Sequence, residues 1–294
     1  MARPAPEEPL AESAPLAHRL AREHCPVDGS TGESCAWYHG FWQFMRLIGV
    51  AKTSGGHVDF LAAALGAAAR SGRYPRVLIS GSADYSMPAH AFWAYREAGA
   101  ELELSCVDRC GTPLALTRWY GSRYGMPVTT HLSDVAAFES AYPYDVVTTN
   151  SFLGYFDPPA RARLFARWAG LLRPGGRLII TNRIRPGEGH APVGFTEEQA
   201  RTFVQTVRTE ALRLQALLPL EPDAMARLAQ AYAERFQSVP VRSCEEVTAL
   251  LESSGFSLDR LDTAPAAGRP GGAPIAGPTL AEPTDYVRVV AIRC

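Results

Sequence analysis

The sequence predicts an α/β fold built on a doubly wound, largely parallel sheet, and three observations predict it. Short apolar runs alternate with amphipathic stretches from Arg76 onward, which is the pattern of strands and crossover helices. The first run, RVLIS, breaks on Gly81, Ser82 and Ala83, residues small enough for a backbone to turn sharply against a ligand. Successive runs then end in polar side chains, Asp108, Asp134 and Asn150, so their carboxyl ends share one polar crevice.

The elements follow in order. Val77, Leu78 and Ile79 read as a buried first strand, and the helix after the turn carries Met87, His90, Phe92, Trp93 and Tyr95. The second strand, Leu102 to Val107, ends in Asp108, at the distance from Gly81 where such folds hold the hydroxyls of a ribose. A short third strand, Val128 to Leu132, precedes Asp134, and a fourth spans Tyr144 to Asn150. LLRPGG then gives a helix end and a turn before a fifth strand at Arg177 to Thr181. Phe256 to Leu261 and Asp285 to Ile292 read as two antiparallel last strands, joined by a mobile Pro, Gly and Ala rich loop from Ala264 to Pro283.

The remaining segments frame this sheet. Residues 1–34 read as flexible, with a short helix at Leu16 to His24, and residues 35–75 as an N-terminal helical lid. Within the lid, Trp37, Phe41, Phe44 and Ile48 recur at helical spacing, as do Tyr38, Trp42 and Met45. One aromatic face suits packing on the sheet; the second suits contact with a ligand. A second helix, Val58 to Arg70, leads into the first strand. Residues 76–294 form the main domain, with a helical insertion at about 194–240 that opens on the capping box Thr196 to Gln199. It reads as a cover over an acceptor site or as a homodimer surface.

Composition excludes several classes. The 294 residues carry 29 basic and 30 acidic side chains, a net charge of -1 that offers no field for nucleic acid or an anionic membrane. No secretory leader and no long apolar run are present, so the reading is a cytoplasmic protein. The six cysteines, Cys25, Cys35, Cys106, Cys110, Cys244 and Cys294, are irregularly spaced, form no CxxC, and have no histidine at ligand spacing. They read as free thiols, and no metal site is expected.

The segments RVLISGSADYS, YDVVTTNSFL and LLRPGGRLIIT together resemble class I S-adenosylmethionine-dependent methyltransferases, over roughly Arg76 to Cys294. The resemblance implies a Rossmann-like seven-stranded methyltransferase fold and S-adenosylmethionine as cofactor. Ser80, Gly81, Ser82, Ala83, Asp84 and Tyr85 would then lie beside the methionine part and Asp108 would hold the ribose. Arg109 would lie near the adenine, Asp134 with Val135 would meet the adenine amino group, and Asn150, Ser151 and Phe152 would border the reacting methyl. From the lid, Trp42 would touch the sulphonium, and Tyr38 and His39 would join Asn150 as catalytic candidates, since aromatic faces attract soft cations. The sequence departs from the family where an acidic residue and further glycines usually stand: Ile79, Ala83 and Tyr85 occupy those places, leaving Asp84 to supply a carboxylate from another direction.

Methyl transfer to a small N or O acceptor, in specialised metabolism, fits a site with no obvious base, because alignment does most of the work. His57, His90 and His131 read as structural. The altered turn, YHGFW and DRCGTPL are also similar to methyltransferase-like enzymes that cyclise S-adenosylmethionine to azetidine-2-carboxylate and methylthioadenosine. Two further readings are a non-catalytic nucleotide-binding protein and a nicotinamide oxidoreductase, the latter wanting a fuller GxGxxG turn.

Overall fold

The computed structural model describes residues 8–29, 32–51, 54–265 and 285–294. The chain tip and most of the loop expected between the last two strands lie outside the described residues. Five strands are parallel neighbours: β1 (Arg76–Ser80), β2 (Glu103–Asp108), β3 (Thr129–Leu132), β4 (Tyr144–Asn150) and β5 (Leu172–Arg183). The last two, β6 (Phe256–Pro265) and β7 (Asp285–Arg293), pair antiparallel, and β7 also pairs antiparallel with β5. The sheet order is β3-β2-β1-β4-β5-β7-β6, which meets the seven-stranded α/β expectation. The chain winds outward from β1 to β3 and then jumps back to β4 on the other side of β1. That reversal opens a crevice at the carboxyl ends of β1 and β4.

The two faces of the sheet follow from period-two alternation along the strands. Val77, Ile79, Leu104 and Cys106 point to one face and pack with α3 (Val58–Arg70), α4 (Ser86–Ala98) and α5 (Gly111–Tyr124). Leu78, Val107, Val147 and Leu178 point to the other and pack with α6 (Pro158–Leu171) and α9 (Cys244–Ser253). A third cluster joins α2 (Ala36–Leu47) to the insertion helices α7 (Glu197–Arg213) and α8 (Pro222–Arg235), with Phe41, Phe44, Met45, Phe203 and Tyr232 inside it. Helix ends use the caps the sequence offers: Asp157 accepts from the N–H of Ala160 at 2.8 Å before α6, and the Thr196–Gln199 box closes both its bonds before α7.

Three expectations shift. Helix α1 runs over Leu10–His24, six residues earlier than expected, because Ser13, Ala14, Ala17 and Ala21 give it a small buried face that α2 approaches closely. A Cβ on Gly40 would sit 3.3 Å from that of Ala21. Helix α3 belongs to the sheet layer, since Phe60, Leu61 and Leu65 are in its core. Finally β5 begins with Leu172, paired to Tyr144, and its regular ladder starts at Arg177 after a register shift. Among the described residues no helix is long and apolar enough to cross a membrane.

Candidate active site

The crevice is built on the turn after β1. Gly81 has φ 70°, a left-handed conformation that glycine adopts without penalty, and its N–H donates to Val107 O at 2.9 Å. The missing side chain matters twice, because a Cβ here would lie 2.3 Å from the Phe152 ring. Next along, the N–H of Ser82 donates to Asp108 Oδ2 at 2.9 Å, and Asp108 Oδ1 accepts from the N–H of Cys110 at 2.7 Å. Asp108 therefore clamps the first two turns together at the carboxyl end of β2. Burial pushes its carboxyl above the usual carboxylate range, while the two N–H donors pull it down.

The N-terminal helix α2 closes over this turn through one buried carboxylate. Asp84, 1% exposed, accepts at Oδ2 from Trp42 Nε1 (3.0 Å), Gln43 Nε2 (2.6 Å) and Arg46 Nη1 (2.7 Å), and at Oδ1 from the N–H of Ser86 (2.7 Å). Burial alone would raise its pKa; the Arg46 guanidinium and the hydrogen bonds from Ser86 and Trp42 reverse this and hold it below the usual value. Asp84 is therefore a clasp between α2 and the β1 turn, where the sequence pointed to a ligand contact. Its oxygens are engaged by the protein itself.

Above the clasp stands a run of stacked rings. Trp42 lies on Tyr38 at 5.3 Å between centroids, Tyr38 on Tyr232 at 6.0 Å, and Tyr232 on Phe236 at 5.1 Å, all within 23° of parallel. Tyr155 meets Tyr38 edge-on at 6.5 Å and is 54% exposed, so this wall faces open space. Both aromatic faces of α2 thus have a use: Phe41, Phe44, Met45 and Ile48 are fully buried, while Trp37, Tyr38 and Trp42 are half-buried. Burial pushes the Tyr38 phenol up and keeps it neutral.

The far wall is polar. Asn150 Oδ1 accepts from Thr181 Oγ1 at 2.5 Å, which fixes its amide at the end of β4. Ser151 is the one non-glycine among the described residues with positive φ, 54°, held by a bond from its N–H to Thr181 O at 2.7 Å. Its hydroxyl donates to Tyr286 Oη at 3.3 Å, and the Tyr286 ring lies 4.4 Å from that of His57. His57 is 4% exposed with no hydrogen-bond partner at Nδ1; burial and Arg288 push it down to about 4. His90 is also pushed down to about 4, by burial and Arg46. Both imidazoles are therefore neutral at pH 7, and His57 reaches the end of β4 through Tyr286. The sequence set them aside, because a lone histidine carries no signal until a fold gives it neighbours.

The other expected residues divide. Ser82, Ala83, Trp42 and Tyr38 gather around the β1 turn, and Phe152 lies on Gly81 in a cluster with Tyr155 and Phe156. Asp134 is exposed and caps its own turn through the N–H of Ala136 at 2.8 Å, with Val135 buried, and Arg109, next to Asp108, is exposed. Ser80 is turned away: fully buried, its Oγ accepts from Trp168 Nε1 at 2.9 Å. Tyr85 also faces the core, stacked on Tyr120 at 4.6 Å with its hydroxyl 3.2 Å from Ser13 Oγ. Both lose contact with the crevice for one reason: the sequence showed the turn but not which way each side chain leaves it. His39 points from α2 toward sulfur, its Nδ1 3.6 Å from Cys25 Sγ.

No protein-family model matches the chain, and no curated protein matches its sequence. Among solved structures, the chain is similar to magnesium protoporphyrin IX methyltransferase (ChlM) from Synechocystis PCC 6803 with bound SAH. The identity there is 14%, with 87% of this chain and 94% of that one covered and a TM-score of 0.48. An O-methyltransferase family protein from Burkholderia thailandensis is 14% identical over 87% of this chain and 60% of its own, with a TM-score of 0.49. The S-adenosylmethionine-dependent methyltransferase SibL, in its apo form, is 18% identical over 97% of this chain and 70% of its own, with a TM-score of 0.46. The architecture of the present chain rests on its own strand order and register.

Proposed function

We propose that this protein binds S-adenosylmethionine in the crevice outside β1, β2 and β4 and transfers its methyl group to a small N or O acceptor. One observation carries the reading: a carboxylate at the end of β2, Asp108, is locked to the N–H of Ser82 beside a left-handed glycine, under a wall of stacked aromatic rings. The glycine turn would admit the methionine part, Asp108 the ribose hydroxyls, and Asp134 with Val135 the adenine. Tyr38, Trp42 and Tyr155 would face the sulphonium, whose attraction to an aromatic face is worth about 0.5–2 kcal/mol. Within the expected lid of residues 35–75, α2 would supply the lid itself and about 194–240 its cover, because α2 and the insertion share one hydrophobic cluster while α3 packs in the sheet core. For an acceptor that must lose a proton, His57 or His90 would be the base, each neutral at pH 7.

A second reading keeps the cofactor and changes the electrophilic carbon: the amino group of S-adenosylmethionine attacks its own side chain, giving azetidine-2-carboxylate and methylthioadenosine. The stacked Trp42–Tyr38–Tyr232 wall favours it, since its apolar ring faces would hold the sulphonium while the aminobutyrate chain curls against them. Incubating the protein with S-adenosylmethionine alone and following products by mass spectrometry separates the two. Methylthioadenosine with a matching C4 amino acid selects cyclisation; intact bound cofactor selects methyl transfer. Thermal stabilisation by S-adenosylhomocysteine but not by NAD is expected in both cases. No stabilisation by S-adenosylhomocysteine would sink both.

A further inference from the structure

The ends of three helices converge on a cluster that the crevice does not use. Cys25 follows α1, Cys35 precedes α2, His39 lies one turn into α2, and Cys110 precedes α5. Their ligand atoms all lie within 4.8 Å of one another. Cys35 Sγ is 3.6 Å from Cys110 Sγ, Cys110 Sγ is 3.5 Å from Cys25 Sγ, and Cys25 Sγ is 3.6 Å from His39 Nδ1. The sequence expectation that no histidine accompanies the cysteines fails here, because the four residues meet only through tertiary packing.

We propose that Cys25, Cys35, His39 and Cys110 form a structural zinc site. A tetrahedral Zn²⁺ with bonds of about 2.3 Å to sulfur and about 2.0 Å to nitrogen requires edges of roughly 3.5 to 3.8 Å between ligand atoms. The three separations of 3.5 to 3.6 Å agree with those edges. The donor set is three soft sulfurs and one imidazole, a composition that selects zinc over hard cations. A disulfide would use two of the three thiols and leave His39 and the third without a role.

The surroundings favour thiolates. Cys35 is the N-cap residue of α2 and Cys110 that of α5, and neither helix has a side-chain oxygen at that position. Each sulfur therefore stands at the positive end of a helix, which stabilises negative charge. Thr112 Oγ1 lies 3.2 Å from Cys25 Sγ and can donate to it, the kind of outer contact that holds a metal ligand in place. With four protein ligands the site is closed, so its role is to staple α1 and α2 to the sheet domain. Cys110 also donates its N–H to Asp108 Oδ1 at 2.7 Å, so the staple fixes the lid beside the turn that Asp108 clamps.

The test is metal analysis of the full chain, made without a histidine tag and kept reduced. About one zinc per chain is expected, with Cys25, Cys35 and Cys110 protected from alkylation until a chelator is added, while exposed Cys294 reacts throughout. Cobalt(II) in place of zinc should give intense sulfur-to-metal absorption and tetrahedral ligand-field bands, a readout that needs no variant. Cys35→Ser and His39→Ala should each weaken metal binding at least ~10-fold. A chain that stays metal-free after zinc addition overturns the site. So does a stoichiometry that Cys35→Ser and His39→Ala leave unchanged, or an intact mass two hydrogens short with Cys25 and Cys110 joined.

Discussion

Replacing Asp84 by Asn should destabilise the protein by about 3 kcal/mol, because it strands a buried cation. The Arg46 side chain is 6% exposed and that of Asp84 1% exposed, and their atoms approach to 2.7 Å. Breaking such a pair from one side costs about 3–5 kcal/mol. The lower end applies because Arg46 also pairs with Glu8, which is 35% exposed and remains in the variant. An Asn amide would in addition turn one NH₂ toward donors from Trp42, Gln43 or Arg46, since a carboxylate accepts where an amide nitrogen cannot. At roughly 2 °C per kcal/mol for a chain of this size, the melting temperature should fall by about 6 °C. Urea unfolding followed by tryptophan fluorescence measures the loss, and hydrogen exchange should show α2 opening first. The double variant Asp84→Asn with Arg46→Met should recover most of it, since removing both charges leaves no unpaired ion. A loss under 1 kcal/mol in Asp84→Asn, or no recovery in the pair, would refute the clasp.

Other consequences can be checked in parallel. His57 titrates at 6.5 when unfolded and about 4 when folded, so the unfolded chain binds the extra proton between those values. Its contribution is complete above pH 6.5 and is lost as pH falls toward 4; at ~1.4 kcal/mol per tenfold change in proton affinity it amounts to at most about 3.5 kcal/mol. His57→Gln should flatten that part of the stability profile, and an unchanged slope would remove the assignment. Gly81→Ala should cost at least about 1 kcal/mol for the left-handed backbone alone, and more from the Phe152 collision. Phe152→Ala should then relieve the collision part of that loss in the double variant, as read by urea midpoints. Asp108→Ala should weaken S-adenosylhomocysteine binding at least ~10-fold by calorimetry; unchanged affinity would exclude the ribose role. Trp42→Ala should slow turnover more than it lowers the melting temperature if the aromatic wall contacts cofactor.

Much of the sheet was legible in the sequence. β1, β2, β4 and β7 are short β-branched or apolar runs bounded by turns, and period-two alternation assigns Val77 and Leu78 to opposite faces before any packing is known. Gly81, Asp108 and Asn150 were equally readable, because each sits at a strand's carboxyl end where a doubly wound sheet opens. Side-chain direction within the turn was not readable. Ser82 remains at the crevice while Ser80 and Tyr85 enter the core, and Asp84 turns to α2, because Gln43 and Arg46 bring donors from 41 and 38 residues away.

The sequence by itself determined the order of strands and helices and the polar strand ends, because both depend on local periodicity and short-range turn chemistry. Only the tertiary structure decided what meets across long separations. Cys25 and Cys110 stand 85 residues apart and His57 and Tyr286 lie on distant elements, yet each pair is in contact. No local pattern encodes such meetings; they exist because helices with small buried faces, such as α1, let other elements approach closely enough for polar and sulfur atoms to converge.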